Sequence, residues 1–216
     1  MKKIDNSIDK LREKKKRFIA REIAIRDSAI SLLKEKGLES VTISLIADHA
    51  CIGKGTIYKH FLSKTEILVR IVADYQKNIC DSIQIYINKE VDKKNPFGVV
   101  RKYFSLRLFD PSLDRLVRNL IMILENNVKL EETSTEIRAL KEGLDAYIIS
   151  SIKSLIKAGR LKDFPATYYH FAYISFVDII IDRCVDGKFQ LDASKEIEFL
   201  EFISNIGSSM GRTLKQ

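Results

Sequence analysis

Residues 51–61, CIGKGTIYKHF, crowd the hydrogen-bond donors Lys54, Thr56, Tyr58, Lys59 and His60 between the apolar residues Ile52, Ile57 and Phe61. Donors at that density suit a partner made of acceptors, and duplex DNA offers phosphate oxygens and base edges. Catalytic and metal chemistry have no comparable foothold. No Gly-rich phosphate loop and no His-Glu-x-x-His run occurs, and His49, His60, His170, Cys51, Cys80 and Cys184 are scattered without metal-ligand spacing. The expectation is therefore a binding protein, with no enzyme activity, no metal and no cofactor.

Charge points the same way. Residues 1–64 hold 15 Lys/Arg against 8 Asp/Glu, whereas the other 152 residues hold 22 against 21. Clustered cations gain free energy by displacing counterions from phosphates, so a polyanion-facing amino-terminal region on a near-neutral body is the simplest reading. A solvated basic face is the alternative that charge alone leaves open. The run Lys14, Lys15, Lys16 and Arg17 is either a flexible arm against DNA or merely hydrated. With 45% hydrophobic residues among 216, the chain has ample material for a core. No run of about eighteen apolar residues appears, nor a signal-peptide pattern after the first charges, so a soluble, cytoplasmic protein is expected.

The elements that must hold the donors read as helices. Gly37 can end a long first helix, and Thr42 can cap a short second one that turns Ile43, Ile46, Ala47 and Ala50 inward. A tight turn leads into a third helix over 54–60, with Ile57 and Phe61 pointing to the same core and the donors outside. Two short helices around such a turn make a helix-turn-helix. From Lys64, apolar residues recur at three- and four-residue steps (Ile67, Leu68, Ile71, Val72, Tyr75, Ile79), with Ser63 and Glu66 offering a capping box. No strand alternation is visible. The fold class is all-α, about nine helices, with a helix-turn-helix unit over 1–63 passing through the helix begun at Lys64 into a larger body over 64–216.

The ordered pattern Gly37, Thr42, Ile46-Ala47, Ala50, Ile52, Lys54 to Tyr58, His60-Phe61, Ser63-Lys64 and Glu66 to Leu68 resembles the DNA-binding domain of the TetR family of bacterial repressors. The resemblance covers roughly residues 17–69. It implies a homodimeric repressor of near-palindromic operator DNA, released by a small-molecule effector. It places Lys54, Thr56 and Lys59 at or near bases, Tyr58, His60 and Lys64 on phosphates, Gly55 among the DNA-binding residues, and Thr42 and Ser44 as added contacts from the second helix. Two residues depart from the family pattern. Leu45 stands where an acidic residue often completes a cap. Cys51 stands where glycine is usual, which implies either a positive φ at Cys51 or a turn shifted toward Gly53.

Within the body, residues 165–184 are apolar almost all round, and residues 195–211 join large apolar side chains to Gly207, Ser208, Ser209 and Gly211. A helix with no polar face must be covered on every side, and the resemblance implies that these last two helices pair with their copies in a dimer. Asp178 and Asp182 on that apolar helix need partners, for which Arg183, His170, Arg107 and Arg118 are available. Tyr103, Arg107, Tyr147, Tyr173 and Asp178 are the candidate effector-site residues. The rival expectations are a helical-bundle carrier or an enzyme that never meets DNA, or a TetR-like activator or redox sensor working through Cys51 or Cys80.

Overall fold

The computed structural model describes residues 2–88, 98–126 and 131–190, together with 195, 198–199 and 201–203. Eight helices are bounded among them: α1 Lys2–Lys36, α2 Ile43–His49, α3 Lys54–Ile57, α4 Lys64–Asn88, α5 Gly98–Leu108, α6 Pro111–Glu125, α7 Glu131–Lys157 and α8 Ala166–Val185. Residues 198–199 and 201–203 are helical too, where the ninth helix was expected, and no strand occurs among the described residues. Residues 89–97 and 127–130 lie outside the described residues, as do Gly207, Ser208, Ser209 and Gly211.

Local chemistry sets the helix ends. Gly37 closes α1 at φ +75, a left-handed conformation that costs glycine nothing, and its N–H donates to the Leu33 carbonyl at 3.1 Å. Thr42 caps α2, its Oγ1 accepting from the Leu45 N–H at 3.2 Å. At the start of α4 the Ser63 Oγ accepts from the Glu66 N–H as a capping box requires, but the Glu66 carboxylate accepts from Leu62 N–H rather than from Ser63. Asp110 caps α6 ahead of Pro111, accepting from the Leu113 N–H at 2.9 Å.

The chain divides into two compact units, Met1–Ile71 and Val72–Gln216, with α4 contributing to both. In the first, α1 packs on α2 and α2 on α3. Ile25, Ala29, Leu32 and Leu33 of α1 are buried, as are Ile46, Ala47, Ile57 and Phe61. In the second, α6, α7 and α8 pack on one another. One core cluster joins Ile79 and Ile83 of α4 to Leu144, Ile148, Ile152 and Leu155 of α7; another joins Phe104 and Leu108 of α5 to Val177 and Ile181 of α8.

The expectation that α8 is covered on every side is not met within one chain. Ala166, Val177 and Ile181 are buried, but Phe171 is 75% exposed and Ile179 58% exposed. Phe176, Ile180, Phe189, Phe199 and Ile203 help to line an apolar groove of about 420 Å³ beside that face. Among the described residues no helix is long and apolar enough to cross a membrane.

Candidate nucleic-acid interface and ligand cavity

The turn between α2 and α3 settles the choice left open at Cys51. Cys51 takes φ +53, while Gly53 lies at φ −72 in extended backbone and forms the amino-terminal cap of α3. The turn is locked by backbone bonds: Cys51 N–H donates to Asp48 O at 3.1 Å and Ile52 N–H to Ala47 O at 3.0 Å. The third helix is shorter than expected. Regular α geometry covers Lys54–Ile57, after which the chain tightens, with Lys59 N–H donating to Thr56 O and His60 N–H to Ile57 O.

This tightening sorts the donors. Lys54, Gly55, Tyr58 and Lys59 are exposed, Tyr58 to 53%, on the side opposite the buried Ile57. Thr56 and Ser44 are half-buried, and Thr42 is exposed with its hydroxyl engaged in the cap. Two of the donors expected outside are held inside the unit. The His60 side chain is only 7% exposed, its ring 4.1 Å from that of Phe18 and its Nδ1 3.8 Å from Glu22 Oε1. Lys64 Nζ donates to the Leu38 carbonyl at 2.6 Å, bracing the loop after α1. Burying an imidazole on an aromatic ring and satisfying a lysine on a carbonyl both use groups that sequence reading assigned to phosphate.

The second unit holds a cavity of about 370 Å³, within the usual range of about 300–1,000 Å³ for ligand sites. Ile79, Val117, Ile121, Met122, Leu144 and Ile174 give it apolar walls. Its polar side is an ionic cluster. Arg107, 3% exposed, is bidentate to Asp114, with Nε to Oδ1 at 2.7 Å and Nη2 to Oδ2 at 2.8 Å, and its Nη2 also donates to Asp178 at 2.6 Å. Arg118 Nε donates to Asp114 at 3.1 Å, and its Nη2 donates to Asp182 at 2.5 Å. The Tyr75 hydroxyl donates to Asp114 Oδ1 at 2.6 Å.

Burial of the Arg107 guanidinium opposes its charge, but the hydrogen bonds and charge of Asp114, with Tyr103 and Asp178 nearby, raise its pKa overall. Burial, then the charge and hydrogen bond of Asp114, hold the Tyr75 phenol protonated far above its ordinary range. Burial raises Tyr103 also, and pushes Tyr173 up to about 12.

Of the candidate effector residues, Tyr103, Arg107 and Asp178 line this cavity. Tyr173 instead lines a small void of about 20 Å³ with His170, and Tyr147 packs against the α4–α7 core. Arg107 and Arg118 are the partners that Asp178 and Asp182 required; His170 Nε2 lies 3.2 Å from Asp145 Oδ1, without the alignment of a hydrogen bond. Sequence reading missed Tyr75 and Asp114. Asp114 carried only an i,i+4 pairing with Arg118, the same signal as any solvated helix pair.

Burial raises the pKa of Cys80 and Cys184, which disfavours the reactive thiolate at both. No group of three or more His, Cys, Asp or Glu is placed to hold a metal ion among the described residues. The run Gly207 to Gly211, GSSMG, has the spacing of a hydrolase nucleophile turn and lies outside the described residues.

Comparison with known proteins gives the frame. The family model described as "Bacterial regulatory proteins, tetR family" matches residues 25–71, the segment holding α2, the turn and α3. The chain is 26% identical over 132 residues to the fatty acid metabolism regulator protein of Bacillus subtilis, spanning 60% of this chain and 67% of that one. It is 26% identical over 164 residues to the HTH-type transcriptional regulator TtgR of Pseudomonas putida, spanning 74% and 77%. The fold is that of the ketosteroid transcriptional regulator KstR2 of Mycobacterium tuberculosis, with TM-score 0.71 and 14% identity over 89% of this chain and 95% of that one. A tetR-family regulatory protein from Rhodococcus RHA1 superposes with TM-score 0.72 and 15% identity over 90% and 98%. The match over 25–71 is to the DNA-binding segment of the tetR family, the relatives of similar sequence are named as regulators, and the helical body has the fold of solved tetR-family proteins.

Proposed function

We propose that the chain acts as a cytoplasmic homodimeric repressor, whose DNA-binding domain over 1–63 reads a near-palindromic operator and whose domain over 64–216 binds a small-molecule effector and forms the dimer. The observation that carries this reading is the exposed face of Lys54, Gly55, Tyr58 and Lys59 set over the buried Ile57 and Phe61. Lys54, Thr56 and Lys59 reach bases and Tyr58 a phosphate, while Thr42 and Ser44 present the start of α2. His60 and Lys64 serve the same surface indirectly, by fixing the third helix against α1 and the loop after it. One such helix reads few base pairs, so two copies about 34 Å apart are needed for a specific site. The uncovered apolar face of α8 supports pairing with a second copy, because exposed patches of that kind mark contact surfaces.

Effector binding in the cavity works through α4, which supplies Tyr75 to the ionic cluster and its first two turns to the other unit. An effector that favours a different tilt of α4 shifts the dimer away from groove spacing by its differential affinity for the two states. The test is a mobility-shift assay on DNA from upstream of the protein's own gene. Wild type retards the fragment and the Lys54→Ala, Lys59→Ala pair does not, with unchanged circular dichroism. Equal retardation by both proteins would exclude α3 as the reading element.

A further inference from the structure

The charge accounting of the cavity narrows what it binds, and this step rests on the cavity being the effector site. Arg107 has its Nε and Nη2 donors committed to Asp114 and Asp178, and an Nη1 donor directed at the Tyr103 hydroxyl at 3.4 Å. Arg118 is committed to Asp114 and Asp182. Two guanidiniums thus face three carboxylates. On the lining itself, of which Asp182 is not part, Arg107, Arg118 and Lys141 stand against Asp114, Glu125, Asp145 and Asp178; Lys141 lies 3.9 Å from Glu125, and Asp145 lies 3.2 Å from the imidazole of His170.

An incoming anion would have to strip a carboxylate from a guanidinium that is almost fully buried, leaving a charge unpaired in an apolar setting. An incoming cation meets surplus negative charge, apolar walls, and the ring of Tyr103, against which the Arg107 guanidinium already lies at 5.4 Å. We propose that the cavity takes an amphipathic cation, an amine or quaternary ammonium on an apolar body, with its charge facing Glu125, Asp145 and Asp178.

Isothermal titration of the full chain at pH 7 with three probes of equal length, n-octyltrimethylammonium, n-octanoate and 1-octanol, tests this. The cation binds at least about tenfold more tightly than the carboxylate, the size expected for one charge meeting a partly desolvated surplus. Glu125→Gln with Asp145→Asn, both at half-buried positions, weakens the cation by about tenfold and leaves the alcohol unchanged. Octanoate binding as tightly as the cation, no binding of the cation, or a cation affinity indifferent to the double substitution would each overturn the proposal. The mobility shift in the same preparation keeps the two readings apart. Octanoate that binds and releases the DNA sinks the cation and leaves the repressor standing; a bound cation in a protein that never retards DNA does the reverse.

Discussion

Lys59 and His60 are neighbours in the chain with opposite surroundings, and their contrast is where a residue-level account of DNA binding is most exposed. Lys59 is free at the surface, whereas His60 lies against Phe18 with almost no exposure. Lys59→Ala should lower the slope of log affinity against log salt by about 1. His60→Ala should leave that slope alone and lower stability by about 1 kcal/mol through the lost ring contact, read from urea unfolding. A second residue-level prediction concerns Cys51. Its φ of +53 is strained for any side chain, so Cys51→Gly should raise stability by up to about 1 kcal/mol, seen as a higher urea midpoint. A lower midpoint would mean that the turn is not strained. Sequence reading posed the question at Cys51 correctly but could not answer it. A positive φ is enforced by the bonds from Cys51 and Ile52 back to α2, and those depend on the packing of both helices.

At the scale of elements, the polar side of the cavity is one cluster to which α4, α5, α6 and α8 all contribute. Asp114 is its centre, accepting from Tyr75, Arg107 and Arg118 while 1% exposed. Removing its charge leaves the buried Arg107 without its bidentate partner, so Asp114→Asn should destabilise the protein by about 3 kcal/mol. Chemical unfolding measures this, and a loss under about 1 kcal/mol would show that water reaches the cluster. Helix boundaries at Gly37, Thr42 and Ser63 were legible in sequence because caps act over three or four residues. The cluster was not. Tyr75 and Asp178 are far in the chain from the Arg107–Asp114 pair, and only the packing of their four helices brings all of them together. Tyr147 illustrates the converse: an aromatic residue at helical spacing looks the same whether it lines a cavity or, as here, a core.

For the whole molecule, the two features that a single chain leaves unfinished are the uncovered face of α8 and a reading helix of little more than one turn. The proposed pairing of two copies would resolve both. Phe171→Glu with Ile179→Lys places charge on that face at positions outside the core, so sedimentation equilibrium should shift from dimer to monomer with the helical circular dichroism retained; a dimer that persists would assign the contact elsewhere. The resemblance over 25–71 was readable from a short ordered pattern because the helix-turn-helix is local and its polar face is conspicuous. The body was legible only as helical, since its walls and cluster arise from contacts distant in sequence. The central claim, that the chain reads DNA through α3, is tested most directly by the affinity of the full chain for its own upstream DNA as salt rises. The account predicts that log affinity falls linearly with log salt, steeply enough to report several phosphate contacts on each copy, and that specific DNA competes far better than random DNA. Binding that is indifferent to salt, or equal for specific and random DNA at every salt concentration, would contradict it.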